Sequence, residues 1–454
     1  MIKTLKEKYD EIVFTSGAKG TALDNPLVIQ VVDLILAQAI EEKASDVHIE
    51  PTKDSLRVRY RIDGILYDVL TLRRDALPII PRIKVMAELD PDVGRTHTPQ
   101  DGRFGLRAGT RDVDIRLSTF PTILGDKIAI RILDKEVTFR GLNELGLSEA
   151  VQAKFEALIK RPNGMIFVTG PTNSGKTSTL YAVLSILNSP QLNIITLEDP
   201  VEYQLKGVNQ GQVNPKIGLT FANGLRSILR QDPNIILVGE IRDLETAEIA
   251  IRASLTGHLV FSTLHTNDAA GAITRLIDMG IEPFLISSSL IGVLAQRLIR
   301  KICAACKAEY TPPEAILEEL APAEPAEKRG KLGPERKGEF YIVEPEKELE
   351  KDSSSASSPL TPSGKKDLSR SSSFFRGKGC PTCRQIGYRG RIGIFELMDL
   401  NDEMRNLIVA KSTTDAIKAA ALRGGMRTLR DDGFDKVKAG ITTIEEVLRV
   451  TRES

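Results

Sequence analysis

The stretch GPTNSGKT, residues Gly170–Thr177, decides the fold of this chain because it matches the phosphate-binding pattern G-x-x-x-x-G-K-[ST]. It follows the apolar run Met165–Val168 and precedes a helical pattern from Ser178. Backbone N–H groups of such a loop surround a β-phosphate, and the helix N-terminus adds its positive end. This context favours a nucleotide site over a chance glycine-rich turn. The predicted nucleotide-binding residues are Gly170, Pro171, Thr172, Asn173, Ser174, Gly175, Lys176, Thr177 and Ser178.

Three further apolar runs follow the loop along the chain: Ile194–Leu197, Ile235–Val238 and Leu259–Phe261. Helical segments and glycine loops separate them, which is typical of an α/β domain with a largely parallel sheet. In open sheets of this kind the active site lies at the carboxyl ends of the strands. We therefore predict an α/β fold with a nucleotide site at that edge.

Polar residues at these strand ends are the candidates for chemistry. Lys176 would bridge the β- and γ-phosphates of ATP, and the Thr177 hydroxyl would hold Mg²⁺. Glu198 and Glu240 are candidate Mg²⁺ ligands and catalytic groups, and the sequence leaves open which of them is the base. His265 could hydrogen-bond the γ-phosphate as a neutral imidazole. The alternative is that both acids are ordinary loop residues and that the histidine is structural.

A smaller α/β domain is predicted ahead of this one, over residues 22–134. A helix begins at Asp24-Asn25-Pro26 and ends near Lys43, and several strands follow it. Apolar residues of Leu56–Ile62 alternate with arginines, so one face of the strand is polar. Arg116 and Arg131 occupy the polar faces of two later strands. The sequence thus predicts a small domain that presents arginines to solvent.

The four cysteines form two C-x2-C pairs, Cys303 with Cys306 and Cys380 with Cys383. Four thiolates and no histidine suit a closed tetrahedral Zn²⁺ site of structural type. Reduced buried cysteines are the alternative. The basic turn that includes Arg384 and Arg391 either contacts a partner or is simply solvated.

Composition excludes several classes of protein. The 454 residues include 62 Lys+Arg and 61 Asp+Glu, a net charge of +1 that argues against a general nucleic-acid binder. The apolar run Phe284–Ile299 is interrupted by polar residues and falls short of the roughly 20 residues that span a bilayer. The N-terminus lacks a signal-peptide pattern, so we expect a cytoplasmic protein without a membrane span.

The ordered motifs resemble those of the secretion ATPases, the superfamily of type II secretion and type IV pilus assembly motors. The phosphate-binding loop, Ile195–Tyr203, Val238–Asp243 and Ser262–Thr266 resemble its Walker A, Asp, Walker B and His boxes. The likeness extends from Ser45 to Arg449. Within the superfamily, Gly292–Leu298 and Arg430–Val437 are most similar to the type II secretion ATPase.

The resemblance implies a homohexamer that binds ATP and Mg²⁺ and that acts with inner-membrane secretion-platform proteins, not with nucleic acid. It also implies that Arg116, Arg131, Arg226 and Arg230 approach the phosphates; surface ion pairs are the alternative. Members of the family usually carry a further N-terminal domain, whereas about 20 residues precede the small domain here.

The sequence therefore predicts an ATP-driven motor for pseudopilus assembly and protein secretion, associated with the inner membrane through partners. A pilus assembly ATPase, a motor for DNA uptake or conjugation, and a nucleotide-gated scaffold are the alternatives. The predicted segments are a loose leader (1–21), the small domain (22–134), a linker (135–141), a RecA-like ATPase domain (142–300), a zinc module (301–395) with a disordered insertion (311–375), and a C-terminal helical subdomain (396–454).

Overall fold

The computed structural model describes residues 5–16, 25–73, 77–91, 98–109, 111–134, 141–312 and 373–452. The α-helices in this part of the chain are α1 (Leu5–Ser16), α2 (Pro26–Glu41), α3 (Ile79–Met86), α4 (Leu142–Leu145), α5 (Glu149–Ile159), α6 (Lys176–Leu187), α7 (Phe221–Ile228), α8 (Leu244–Leu255), α9 (Ala269–Asp278), α10 (Pro283–Ser289), α11 (Asp402–Val409), α12 (Thr414–Arg423), α13 (Leu429–Lys438) and α14 (Ile444–Thr451).

The strands are β1 (Asp46–Pro51), β2 (Ser55–Ile62), β3 (Ile65–Arg73), β4 (Gln100–Ala108), β5 (Arg111–Thr122), β6 (Gly125–Asp134), β7 (Gly164–Thr169), β8 (Ile194–Glu198), β9 (Asn209–Gln212), β10 (Ile235–Val238), β11 (Leu259–Leu264), β12 (Leu290–Ile302), β13 (Lys307–Tyr310), β14 (Phe374–Gly377) and β15 (Tyr388–Asp399).

The small domain is built on an antiparallel sheet with the strand order β3-β2-β1-β6-β5-β4. Helix α2 covers one face; the Asn25 side chain accepts from the Leu27 N–H at 2.9 Å, with Pro26 at the first helical position. The predicted alternation in β2 is confirmed, since Val58 and Tyr60 are fully buried while the neighbouring Arg57, Arg59 and Arg61 are not. The opposite face of the sheet is therefore polar.

The second sheet has the strand order β15-β12-β7-β11-β10-β8-β9. Its strands pair in parallel except for the antiparallel pair of β12 and β15. The four strands predicted around the nucleotide loop all form, which confirms the α/β class. The antiparallel edge was not predicted: the apolar run Phe284–Ile299 divides between α10 and β12, and most of β12 is buried.

The structure differs from the predicted domain boundaries near both ends of the chain. Residues 5–16 form α1 where the sequence predicts a loose leader, because Leu5, Tyr9 and Ile12 pack against the core of the small domain. Strand β15 crosses the predicted boundary at residues 395 and 396. The expected helical tail is present as α11–α14. Residues 17–24, 135–140 and 313–372, which hold most of the linker and the insertion, lie outside the described residues.

Both sheets belong to one compact unit, whose described residues end at Ala308 and resume at Phe375. The basic turn after the second cysteine pair contacts the small domain of the same chain. Arg384 Nη2 lies 2.7 Å from Glu42 Oε2, and the Gly390 N–H donates to Asp63 Oδ2 at 2.7 Å. Arg391 Nε lies 3.6 Å from the other oxygen of Asp63.

Across the described segments, no helix combines the length and the hydropathy that a bilayer crossing requires.

Candidate active site

The phosphate-binding loop sits at the carboxyl end of β7, a strand whose six residues are all buried. Gly170 (φ 149°) and Gly175 (φ 90°) adopt backbone conformations that favour glycine. A side chain at Gly170 would also collide with the Gln296 carbonyl oxygen of β12. The glycines thus let the loop pack closely against β12.

Lys176 is held by its own loop. Its Nζ donates to the carbonyl oxygens of Gly170 at 2.7 Å and Pro171 at 3.0 Å. Burial lowers the pKa of Lys176 to about 8; nearby Glu240 opposes this effect and Arg297 adds to it. Because carbonyl dipoles compensate a full charge only in part, an anionic phosphate would stabilise this ammonium. Thr177 and Ser178 are exposed on the first turn of α6.

Glu240 and His265 come together beside the loop, as their positions at neighbouring strand ends predict. His265 Nε2 lies 3.6 Å from Glu240 Oε2, and Arg242 forms an ion pair with the other oxygen of Glu240. Burial and the charge of Lys176 lower the pKa of His265, although Glu240 acts in the opposite direction. The lowered pKa favours the neutral imidazole, and this ring could donate to, or accept from, a bound phosphate group.

Glu198 is also near this edge, but its environment differs from that of Glu240. It ends β8, is 4% exposed, and accepts hydrogen bonds from the Tyr181 hydroxyl, Thr196 Oγ1 at 2.6 Å and Gln210 Nε2 at 3.2 Å. All three donors are neutral. The sequence had predicted neither Tyr181 nor Gln210 as a site residue. The structure thus places Glu240 beside the cations Arg242 and Lys176, and it holds Glu198 within a neutral hydrogen-bond network.

The two small-domain arginines lie on the polar face of their sheet. Arg116 Nη2 donates to the Val201 carbonyl oxygen at 3.2 Å, and its Nη1 lies 3.3 Å from Glu202 Oε2. Arg131 Nε pairs with Asp46 Oδ1 at 3.2 Å. Arg116 therefore joins the small domain to the segment that follows Glu198.

The two arginines of the ATPase domain are on the surface. Arg226 Nη2 pairs with Glu245 Oε1 at 2.6 Å, and Arg230 Nη1 donates to the Arg226 carbonyl oxygen at 3.0 Å. In the described part of the chain, no hydrogen bond or ion pair joins either arginine to the phosphate-binding loop. The single subunit thus does not bring these two residues into the cluster of Lys176, Glu240 and His265.

The segment after His265 is tied to the C-terminal helices. The Glu396 carboxylate, 1% exposed, accepts from the first N–H of α9 (Ala269, 2.9 Å) and the first N–H of α13 (Leu429, 3.3 Å). Asp268 Oδ2 accepts from Lys418 Nζ at 2.8 Å. The sequence reasoning missed Glu396; the signal was a single acid within the apolar stretch of β15.

The four cysteines converge, with their sulfur atoms all within 4.8 Å of one another. The Cys303–Cys380, Cys306–Cys383 and Cys380–Cys383 sulfur distances are 3.8, 3.7 and 3.6 Å. Tetrahedral zinc with bonds of about 2.3 Å places its sulfurs about 3.8 Å apart. The N–H groups of Cys380 and Gly387 donate to Cys383 Sγ at 3.2 Å, as suits a thiolate. The geometry and the donor set both fit Zn²⁺.

A glycine-rich phosphate loop, with an acid and a histidine at the ends of adjacent parallel strands, defines a P-loop ATPase. Comparison with known proteins narrows this class. The family model for Type II/IV secretion system proteins matches residues 21–449. The chain therefore belongs to that family and is a secretion ATPase.

Individual relatives agree with this assignment. The chain is 48% identical over 431 residues to the Type II secretion system protein E of Pseudomonas aeruginosa, covering 95% of this chain and 76% of the relative. It is 44% identical to the Type IV pilus assembly ATPase PilB of Thermus thermophilus, covering 95% of this chain and 44% of the relative. A crystal structure of the pilus retraction motor PilT with bound ADP is similar at a TM-score of 0.57 and 26% identity, covering 92% of this chain and 96% of that chain.

Proposed function

We propose that this ATPase is the homohexameric motor of a type II secretion system, in which ATP hydrolysis drives pseudopilus assembly and protein secretion. The observation that supports this most is the likeness, at 48% identity, to a protein named for type II secretion. The motor would work in the cytoplasm, at the inner membrane, through contacts with the cytoplasmic domains of secretion-platform proteins.

The proposed chemistry is attack of water on the γ-phosphate of ATP. Lys176 neutralises the β- and γ-phosphates, and Glu240 positions or deprotonates the water. Thr177, Glu240 and Glu198 would hold Mg²⁺, which supplies electrostatic stabilisation of the charge that develops on the phosphate oxygens. His265 hydrogen-bonds the γ-phosphate. The base is assigned to Glu240 because it lies beside Lys176 and His265, whereas the three hydrogen bonds that Glu198 accepts leave it only a supporting role toward the metal.

The arginines complete the site in this proposal. Arg116 and Arg131 would reach the phosphates from the small domain, and Arg226 and Arg230 from the ATPase domain, when subunits assemble into a ring. An arginine at the γ-phosphate can contribute about 10³ to 10⁵ in rate. The four cysteines hold Zn²⁺ as a structural ion.

The substitution Glu240→Gln tests the assignment of the base. We expect ATP to bind with wild-type affinity while steady-state hydrolysis falls by at least about 10²-fold, the lower range of general-base effects. Glu248→Gln on α8 is the matched control and should keep wild-type turnover. Wild-type turnover by Glu240→Gln would assign the base elsewhere, with Glu198 as the next residue to test.

A pilus assembly motor is the second candidate, because PilB of Thermus thermophilus is 44% identical over 432 residues. Deletion of the gene and complementation decide between the two: the first proposal requires loss of protein export, and the second requires loss of pili. Complementation with Lys176→Ala should not restore export. Restored export would instead indicate a scaffold whose hydrolysis is incidental.

The net charge of +1 gives no support to a DNA motor. Duplex or single-stranded DNA added to the purified ATPase should leave its rate unchanged. A several-fold stimulation by DNA would favour the motor for DNA uptake or conjugation.

A further inference from the structure

Three arginines stand in one row across the sheet of the small domain. Arg103 of β4 is directly opposite Arg116 of β5, and Arg116 is directly opposite Arg131 of β6. Residues that pair directly across strands point to the same face of a sheet. Neither a sequence motif nor the family resemblance had singled out Arg103. Asp46 of β1 continues the row beyond Arg131.

The charges in this row are not balanced within the chain. Like charges directly opposite one another destabilise a sheet, so such positions usually have partners. Arg131 pairs with Asp46 at 3.2 Å, and Arg116 pairs with Glu202 at 3.3 Å. The Arg103 side chain is exposed, and within the described ranges it forms no ion pair or hydrogen bond. The row therefore keeps one cation without a direct partner in the described ranges, although Asp101 and Asp114 line the same clefts.

Two clefts meet at Arg103 and Arg116. One, of about 540 Å³, lies on the polar face of the sheet and also contacts Arg131. The other, of about 530 Å³, lies between this sheet and the segment Pro200–Gln204 that follows Glu198. Arg103 thus faces the same space as Arg116 beside the carboxyl edge of the ATPase sheet.

We propose that Arg103 is a third phosphate-binding arginine, which together with Arg116 and Arg131 binds the terminal phosphates of ATP. This inference rests on the proposed ATPase chemistry and deepens it. A guanidinium keeps its charge at all relevant pH values and donates to two phosphate oxygens at once. Three guanidinium groups along one row can donate more hydrogen bonds to ATP, which has a γ-phosphate, than to ADP, which lacks it. The row thereby distinguishes ATP from ADP.

The experiment compares Arg103→Ala and Arg103→Lys with Arg107→Ala, a matched control on the same strand. Arg107 is exposed and lies 3.9 Å from Asp112 in a surface pair. We expect Arg103→Ala to lower kcat by about tenfold or more, less than a lone arginine finger because two arginines remain. Affinity for a non-hydrolysable ATP analogue should fall while affinity for ADP stays at the wild-type value. Arg103→Lys should lose less kcat and less analogue affinity than Arg103→Ala. Arg107→Ala should lose neither.

Two results would overturn the inference: wild-type kcat and analogue affinity in Arg103→Ala, or equal losses of ADP and analogue affinity, which a structural role predicts. Wild type and Lys176→Ala, assayed alongside, test the proposed function separately. If Lys176→Ala hydrolyses ATP as fast as wild type, the ATPase chemistry itself is wrong. If it does not, a normal Arg103→Ala refutes only the role of Arg103.

A mixing assay identifies whose ATP the row contacts. Arg103→Ala subunits keep an intact phosphate-binding loop, and Lys176→Ala subunits keep an intact arginine row. Activity of the mixture above the sum of both variants places the row on the ATP of a neighbouring subunit. Simple additivity places it on the ATP of the same subunit.

Discussion

Lys176 is the residue whose environment is most informative about nucleotide binding. Two carbonyl oxygens hold its ammonium, and burial lowers its pKa to about 8. The charged form is therefore less favoured here than on a free lysine. A bound triphosphate favours the charged form again, because its full negative charges lie beside the Lys176 ammonium.

This difference predicts that ATP binds more weakly as pH rises through about 8. The nucleotide-free lysine loses its proton in that range, whereas the bound form needs it, so binding above pH 8 takes up a proton. For one linked proton, the dissociation constant should be about tenfold larger at pH 9 than at pH 7. Titration calorimetry at the two pH values measures it.

Lys176→Arg is the control for this prediction, since guanidinium stays charged across the range. Its affinity for ATP should be lower overall but nearly independent of pH. An equal pH slope in wild type and Lys176→Arg would mean that another group titrates.

The residues of the site differ in how well the sequence predicted them. Glu240 and His265 follow apolar strands, and parallel strands bring their carboxyl ends to one edge, so periodicity alone placed them together. Tyr181 and Gln210 contact Glu198 from a helix and an edge strand. Such contacts depend on the packing of separate elements, which local patterns do not encode.

At the scale of elements, β15 connects the nucleotide edge with the C-terminal helices. Glu396 is the shared acceptor for the first N–H groups of α9 and α13. A helix N-terminus leaves such N–H groups without intrahelical partners. One carboxylate on an edge strand thus accepts the first N–H of both helices and fixes the segment that begins at His265 relative to α13.

Glu396→Ala should lower the free energy of unfolding by about 2 to 5 kcal/mol, because it leaves two buried N–H groups without an acceptor. Glu396→Gln should lose less, since an amide oxygen still accepts. Denaturant unfolding followed by circular dichroism measures both. Glu403→Ala removes an exposed acid that pairs with Arg423 and should change stability by less than about 1 kcal/mol. Similar losses in Glu396→Ala and Glu403→Ala would contradict this role.

The cysteine cluster predicts that the purified protein carries about one zinc ion per chain. Cys306→Ser, which removes one ligand, should lose most of the bound metal and lower the melting temperature. A strong chelator should have the same effect on the wild type and none on Cys306→Ser. Atomic emission analysis and thermal unfolding give the two readouts, and a fully stable metal-free wild type would argue for plain reduced cysteines.

At the scale of the whole molecule, the small domain contacts the turn after the second cysteine pair. Arg384 pairs with Glu42, and Asp63 accepts from the Gly390 N–H. On the other side of the domain, Arg116 pairs with Glu202. These polar contacts thus help to hold the small domain against the rest of the compact unit.

Reversing one of these charges should loosen the small domain. We expect Arg384→Glu to repel Glu42 and to raise the radius of gyration measured by small-angle scattering. Glu42→Arg alone should act similarly, and the double variant should return toward the wild-type value. The increase in the radius of gyration should be modest, because a partly exposed ion pair contributes about 1 kcal/mol. Lack of rescue in the double variant would show that the pair does not hold the domains together.

The α/β class, the loop and the strands of the central sheet were predictable because each is local: an apolar run, a glycine pattern, a helix cap. Helix α1 was not predictable from local sequence, because Leu5, Tyr9 and Ile12 are buried, wholly or in part, only by packing against the small-domain core. Strand β15 was not, since its partner β12 lies about 90 residues earlier along the chain. Both errors concern pairings between distant parts of the chain.

The cysteine cluster allows the chain between its two pairs to vary in length. Because Cys303 and Cys306 meet Cys380 and Cys383 within 4.8 Å, the stretch between the pairs leaves and re-enters the fold at nearly one point. The entropy of closing such a loop grows only with the logarithm of its length. This position is therefore suited to carry extra sequence, including an inserted reporter domain, while the ATPase sheet keeps its strand order.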